Sequence, residues 1–350
     1  MHGKGITYDT GFLTPGGSTH EPFDPDLIQR EMRIIRDDLQ CKLVRITGGN
    51  VDRLAIAATH AAAAGLDVWI SPFTNDLTTV ELLAVLADCA ERAERLRQRG
   101  AEVVLLTGAE LGLFTIGFLP GATLSERLAL LTAPERLRAH MAEVPARIND
   151  FLGKAVAVVR ARFGGKISYA SLPFEGVDWT PFDIIATDAG YRSIEVADRY
   201  REGIRALVAL GKVQGKPVAI TEFGCTTHRG AANLGGRGDT IVAWGGDGKP
   251  VRLKGAYIRD EGEQATYLRE LLDIFAAEGV DTAFVNTFAR YDLPYRSDPR
   301  EDFDMASFGV VKVFESRHGQ TYPDMPWEPK VAFTTLADYY RRSASEQSRG

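Results

Sequence analysis

The sequence has few of the residues that cross-link small domains or bind metal ions. Its three cysteines, Cys41, Cys89 and Cys225, are an odd number without metal-type spacing, so we expect no disulfide framework. The six histidines are scattered, and only His228 lies just past a predicted strand. A metal site needs clustered ligands, so we expect neither a bound metal nor another cofactor.

An excess of positive charge and a long apolar run are also missing. The formal net charge is -6 at pH 7, whereas nucleic-acid-binding proteins usually carry a basic face, so no nucleic-acid partner is expected. No apolar run approaches the ~20 residues of a membrane helix, and the N-terminal "MHGKGITYDTGF" has no secretory signal pattern. These features predict a cytoplasmic protein without a membrane partner, acting on a neutral ligand such as a sugar. They do not determine its oligomeric state.

Short apolar strands alternate with helical patterns along the whole chain. The predicted strands lie at 5–9, 42–47, 67–73, 102–110, 166–171, 183–191, 217–224 and 281–288. Patterns with apolar residues three and four apart predict helices at 24–39, 50–65, 78–100, 147–165, 194–211, 261–279 and 330–343. Eight strand-helix units predict an α/β fold, a (β/α)8 TIM barrel that fills residues 1–350 as one domain. A doubly wound open sheet is the alternative, but no "GxGxxG" follows the first strand.

Three irregular insertions interrupt this alternation, at 111–131, 226–257 and 289–309. Each follows a strand, so in a barrel all three would project from the C-terminal face, where barrel enzymes keep their sites. Long loops of this kind usually have a function, although solvent-exposed excursions are the alternative.

Polar residues stand at the ends of several predicted strands. Arg45 lies on the second strand, Glu110 ends the fourth, Tyr191 ends the sixth and Glu222 ends the seventh. A carboxylate at the end of a buried strand is costly unless it is paired or used, so Glu222 is either a salt-bridged strand end or a functional group. Two glutamates facing each other across a barrel mouth are the pair that glycoside hydrolysis requires.

The same segments resemble clan A of the glycoside hydrolases, retaining enzymes built on (β/α)8 barrels. "ITEFG" (220–224) is similar to the clan's nucleophile motif and implies that Glu222 is the nucleophile. "TGAELG" (107–112) stands at the acid/base position and implies that Glu110 is the proton donor. Tyr191 in "TDAGY" resembles the tyrosine that hydrogen-bonds the nucleophile, and Arg45 in "LVRIT" resembles the arginine beneath it. Two further segments, "QATYL" (264–268) and "WEPKVAFTTLADYY" (327–340), resemble clan helices seven and eight.

The chain departs from the clan pattern at two positions. Ala109 stands where the clan has an asparagine that binds the sugar 2-hydroxyl. The clan's strand-eight tryptophan is absent from this sequence, and Asn286 and Phe288 lie near its expected position. A barrel that binds carbohydrate without cleaving it is therefore the alternative to an active hydrolase.

Simple electrostatics assigns different protonation states to the two glutamates. Arg45 and Tyr191 would stabilise an ionised Glu222 and lower its pKa, because a cation and a hydrogen-bond donor both favour a carboxylate. Apolar neighbours would instead raise the pKa of Glu110 towards the protonated form that a general acid needs. We expect those neighbours to be Leu111, Phe114 and Phe118.

Further residues are candidates for substrate contact. Asp9 and Asp188 end strands and would bind sugar hydroxyls, and Glu175 after strand five is expected to be a substrate contact or a structural residue. Trp244 is the expected stacking platform, because an indole face covers the apolar face of a pyranose. The remaining candidates for substrate binding are Arg45, Tyr191 and Asn286.

Overall fold

The centre of the computed structural model, which describes residues 1, 3–14, 17–131 and 134–347, is a parallel sheet of eight strands curled into a barrel. Neighbours in the sheet follow chain order from β6 through β8 and β1 to β5, and a bridge between Ser171 and Thr187 brings β5 beside β6. The barrel is thus nearly closed, and the predicted fold class is confirmed. The strands are β1 (Gly3–Asp9), β2 (Leu43–Gly48), β3 (Asp67–Pro72), β4 (Val103–Ala109), β5 (Lys166–Ala170), β6 (Ile185–Thr187), β7 (Val218–Phe223) and β8 (Thr282–Val285).

The helices form the outer layer and bury their apolar faces against the barrel. In α1 the buried positions include Leu27, Ile28 and Met32, a spacing that puts them on one face. The helix that begins at Thr79 is fixed at its start by a capping box between Thr78 and Glu81. The helices are α1 (Pro25–Asp37), α2 (Val51–Ala63), α3 (Thr79–Gln98), α4 (Leu111–Phe114), α5 (Leu124–Leu131), α6 (Pro134–Met141), α7 (Val144–Arg160), α8 (Ala197–Gln214), α9 (Glu261–Glu278) and α10 (Val331–Gln347).

The connection between β5 and β6 differs from the predicted strand-helix repeat. Over these described residues the chain makes only a 3-10 turn, Pro173–Glu175, before it enters β6. None of the seven predicted helices lies in this connection, so the count of eight strand-helix units exceeds those helices by one. Trp179 and Phe182 from this segment are buried in the hydrophobic core.

The three insertions are more regular than predicted. The first contains α4 and α5, because "LSERLALL" repeats apolar residues at helical spacing. The second folds into 3-10 turns and a small antiparallel ribbon that pairs Val242–Trp244 with Pro250–Leu253. The third contains a 3-10 turn at Phe303–Ala306. All three follow C-terminal strand ends, as predicted.

Strands β6 and β8 are much shorter than the predicted segments. They end at Thr187 and Val285, so Tyr191 and Asn286 lie beyond their strands. The backbone there leaves the regular ladder: the Gly190 N–H donates to the Glu222 carbonyl at 3.1 Å. These irregular ends allow side chains from neighbouring segments to converge on one point.

The barrel interior is filled with side chains rather than open. Trp69 on β3 packs against Phe284 on β8 with ring centroids 4.9 Å apart. The interior layer consists of Leu43, Trp69, Leu106, Ala109, Ala170, Ile184, Ala186, Ala219 and Phe284. In the described part of the chain, none of the helices combines the length and apolar character needed to cross a membrane.

Candidate active site

Glu222 is the fifth residue of β7, and its side chain is 17% exposed. Its Oε1 accepts hydrogen bonds from the Tyr191 hydroxyl at 2.6 Å and from Nδ2 of Asn286 at 2.9 Å. Its Oε2 accepts a longer bond of 3.4 Å from Nη1 of Arg45. Three donors therefore orient this carboxylate, one on β2 and two just beyond the ends of β6 and β8.

Arg45 lies beneath Glu222 and has no exposed side-chain surface. Nη1 and Nη2 bond Oδ1 and Oδ2 of Asp188 at 2.8 and 3.1 Å, a bidentate pair closed off from solvent. Nε donates to the Ser71 hydroxyl at 3.1 Å, and Nη1 also donates to the Thr221 carbonyl at 2.9 Å. The guanidinium is therefore fixed from four sides and cannot swing away from Glu222.

Glu110 follows β4 directly in a left-handed backbone conformation, with φ 48° and ψ 40°. Residues other than glycine seldom adopt this conformation, so surrounding contacts must hold it. The Glu110 N–H donates to the Ala170 carbonyl of β5 at 2.9 Å, and its own carbonyl accepts from Leu113 and Phe114 of α4. The turn brings one carboxylate oxygen of Glu110 within 4.8 Å of an oxygen of Glu222.

Glu110, Asp188 and Glu222 together form a cluster of three carboxylates. In the described part of the chain, this is the one group of three or more His, Cys, Asp or Glu side chains close enough to share a metal ion. Arg45 already donates hydrogen bonds to Asp188 and Glu222 from within the cluster. The guanidinium thus supplies the positive charge that a metal would bring.

Burial raises the pKa of Glu110 well above its ordinary value. The negative charges of Asp188, Glu222 and Glu175 raise it further, and Arg45 opposes them. The direction agrees with the sequence-based expectation, although neighbouring carboxylates contribute as well as apolar surroundings.

The pKa of Glu222 is also raised, to about 7. Burial is the largest cause and the charge of Asp188 the next, while Arg45 and the Tyr191 hydrogen bond lower the pKa. Arg45 and Tyr191 lower the pKa of Glu222 as expected, but desolvation and the charge of Asp188 outweigh them, so the net pKa is raised.

Asp9 and Asp188 lie at strand ends as predicted, but chain groups occupy their oxygens. Asp9 accepts from the Gly11 N–H at 2.8 Å and from the Thr19 hydroxyl at 2.5 Å. Asp188 is fully enclosed, with both oxygens on Arg45. In this conformation Asp188 is closed to a sugar hydroxyl, so the structure gives it the task of holding Arg45.

Glu175, Asn286 and Trp244 are placed very differently from one another. Glu175 is fully buried and bonds backbone groups beside Glu110. Asn286 reaches Glu222, as described above, and also donates to the Tyr191 oxygen at 2.7 Å. Trp244 lies on the ribbon of the second insertion, is 43% exposed and pairs with Pro250. The hydrogen bonds that surround Glu110 and Glu222 in the described residues do not involve this indole.

Sequence reasoning missed several residues that hold the site. Ser71 on β3 supports Arg45, and Tyr169 on β5 bonds the backbone after Glu110. Arg290, paired with Asp292, lowers the pKa of Glu222 through its charge. A tyrosine within the apolar "KISYA" strand was the one usable signal, because a buried hydroxyl needs a partner.

Comparisons with known proteins agree with the barrel architecture. No protein-family model matches this sequence, and no curated protein matches it. A GH113 β-1,4-mannanase, solved as a complex, superposes with a TM-score of 0.61 and 17% identity over 97% of this chain and 99% of its own. A GH113 β-mannanase from Alicyclobacillus acidocaldarius gives 0.58 and 16% over 97% of both chains.

A β-glucosidase in its apo form gives a TM-score of 0.54 and 13% identity over 98% of both chains. Likeness at this level of identity establishes the fold. The fold implied by the resemblance to clan A is confirmed: this chain has the barrel seen in these mannanase and glucosidase structures.

Proposed function

We propose that this protein is a retaining glycoside hydrolase that cleaves β-linked glycosides, with residues 1–350 acting as one catalytic domain. One observation carries the proposal: Glu110 and Glu222 bring carboxylate oxygens within 4.8 Å of each other at the barrel mouth. Retaining enzymes hold their two carboxyl groups about 5 to 5.5 Å apart, whereas inverting enzymes leave about 6.5 to 9.5 Å for a water molecule.

In the first step Glu222 attacks the anomeric carbon as the bond to the leaving oxygen breaks, and the proton of Glu110 passes to that oxygen. The donors Tyr191, Asn286 and Arg45 fix Glu222 for this attack. The raised pKa of Glu110 keeps this carboxyl protonated, so that it can donate its proton to the leaving oxygen.

In the second step water attacks the anomeric carbon, Glu222 leaves as a carboxylate, and Glu110 accepts the proton of the water. The negative charge of Glu222 is absent while it is esterified to the sugar. Because that charge raises the pKa of Glu110, the pKa falls in the intermediate and Glu110 becomes a base.

Several finer expectations belong to this proposal. The solved structures with the same barrel are named mannanase and glucosidase, so β-mannosides and β-glucosides are the first substrates to test. Trp244 remains the proposed stacking residue. The three cysteines are free and buried, which supports a cytoplasmic location because that compartment keeps thiols reduced.

The proposal is tested with a panel of aryl β-glycosides and anomer-resolved analysis of the products. We expect release of the aryl group with retention of configuration, and loss of release in Glu222→Gln. An inverted product would contradict the retaining mechanism. Binding of a sugar without any turnover would contradict the proposed enzyme activity and favour a carbohydrate-binding barrel. The observation that favours this alternative is Ala109, a buried residue with no side-chain group to bind a 2-hydroxyl.

A further inference from the structure

Two buried side chains hold the backbone that immediately follows Glu110. The N–H of Leu111 donates to the Tyr169 oxygen at 2.8 Å, and the N–H of Gly112 donates to Oε1 of Glu175 at 2.7 Å. The Tyr169 hydroxyl lies 2.8 Å from both oxygens of Glu175. The Leu172 N–H donates to Oε2 at 2.7 Å. Glu175 therefore accepts hydrogen bonds from three donors. One is the backbone that follows Glu110, and another is Tyr169, which also bonds that backbone.

The fit at Gly112 shows how closely this carboxylate approaches the backbone. A Cβ at this position would lie 3.0 Å from Oε1 of Glu175 and 2.9 Å from the ring of Phe174. Only glycine leaves room for the contact. Both Tyr169 and Glu175 have no exposed surface, and a buried carboxylate is costly unless its hydrogen bonds serve the structure or the chemistry.

We propose that Glu175 and Tyr169 are positioning residues for Glu110: they fix the left-handed turn that carries the acid/base. This inference rests on the proposed function. It assigns to Glu175 a role in the proton transfer without contact with the sugar. A displacement of about 1 Å at a reacting group can cost roughly 10²-fold in rate, so the support of this turn matters for catalysis.

The charges around Glu110 agree with this role. Asp188, Glu222 and Glu175 each raise its pKa, and Arg45 lowers it. The pKa of Glu175 itself is raised to about 7, mainly by burial, while the Leu172 and Gly112 amides and the Tyr169 hydroxyl lower it and Asp188 raises it. Above this pH Glu175 is ionised and acts on Glu110 with a full negative charge.

The decisive variant is Glu175→Gln in the full chain. Glutamine has one acceptor oxygen, so it leaves at least one of the three donors facing an NH2 group, and it carries no charge. We expect the basic limb of kcat/KM against pH to move to lower pH. We also expect kcat/KM, which reports the first step, to fall about 10²-fold on a phenyl glycoside and to change little on the dinitrophenyl glycoside of the same sugar, whose leaving group needs no proton.

Two further variants separate positioning from stability. Tyr169→Phe removes the acceptor of Leu111 but keeps the Glu175 carboxyl, so we expect the same dependence on the leaving group with a smaller shift of the basic limb. Glu31→Gln is the matched control, because Glu31 is also fully buried and accepts from Tyr291 at 2.5 Å and Trp327 at 2.7 Å. Glu31→Gln should lower the Tm without changing the dependence on the leaving group or the position of the basic limb.

The outcomes distinguish the two proposals. Equal losses on both substrates with an unmoved basic limb would overturn the positioning role and leave the hydrolase in place. If the wild type cleaves no glycoside, the proposed function fails, and NMR titration of the Glu110 carboxyl still decides the inference. A lower Glu110 pKa in Glu175→Gln than in the wild type would support it, and an unchanged pKa would overturn it.

Discussion

Nδ2 of Asn286 lies 2.9 Å from Oε1 of Glu222, the same oxygen that accepts the Tyr191 hydroxyl. Among the residues that the structure describes, Oε2 accepts one hydrogen bond, the 3.4 Å bond from Arg45. The two oxygens are therefore unequal, because Oε1 is held by two short bonds while Oε2 keeps more of its electron density free. We expect Oε2 to be the oxygen that forms the bond to the sugar.

Replacing Glu222 by alanine should remove nearly all hydrolysis. The side chain that forms the covalent intermediate is lost, but the cavity remains and can accept a small anion. Added azide should therefore restore cleavage and yield a glycosyl azide, detected by mass spectrometry of the product. The same treatment of Glu222→Gln should give no such product, since the amide fills the space. Absence of azide product with the alanine variant would leave Glu222 without support as the nucleophile.

Replacing Tyr191 by phenylalanine should move the acidic limb of kcat/KM to higher pH. The hydroxyl lowers the pKa of Glu222, so its loss raises that pKa further, and the nucleophile ionises only at higher pH. A hydrogen bond to a charged group contributes about 1.5 to 3 kcal/mol, so the rate should fall roughly 10- to 150-fold. The measurement is the full pH profile. An acidic limb that stays in place would show that Tyr191 does not influence the ionisation of the nucleophile.

Replacing Asp188 by asparagine should move both limbs to lower pH. Its charge raises the pKa of Glu110 and of Glu222, so its removal lowers both. Because Arg45 loses its enclosed partner, the free energy of unfolding should also fall by about 3 to 5 kcal/mol in urea titrations. Tyr191→Phe is the useful contrast, because it moves the acidic limb in the opposite direction. Limbs that move apart in Asp188→Asn would contradict this reading of the charges.

Strand-end residues could be predicted from the sequence because parallel barrel strands point their C-terminal ends at one mouth. Glu110 and Glu222 were found in this way, on strands with clear apolar runs, whereas Arg45 lies within β2 and was found through the sequence resemblance. Ser71 and Tyr169 were not, since nothing in a single serine or tyrosine shows which distant backbone or side-chain group it will reach.

The net pKa of Glu222 could not be predicted from the sequence either. The partners of Glu222 follow from the sequence resemblance, but its pKa also depends on burial and on Asp188, whose position beneath Arg45 appears only in the folded chain.

The raised pKa of Glu222 predicts how stability depends on pH. A group whose folded pKa lies above its unfolded value binds protons more tightly when folded, so its contribution is full below the unfolded pKa and is lost as pH rises through the folded pKa. For Glu222 the pH window runs from its ordinary pKa of 4.5 to about 7, and the contribution of Glu175 to the stability of the protein is lost over the same range. The free energy of unfolding should therefore decline across this interval.

The decline should be smaller in Glu222→Gln, which has no proton to lose there. The matched control is Glu94→Gln, because hydrogen bonds from Arg97 and the Gly164 amide lower the pKa of Glu94 to about 2. Its stabilising effect is complete above its unfolded pKa, so this control should keep the wild-type slope between pH 4.5 and 7. Urea titrations at several pH values provide the test. Equal slopes for wild type and Glu222→Gln would contradict a raised pKa of Glu222 in the folded state.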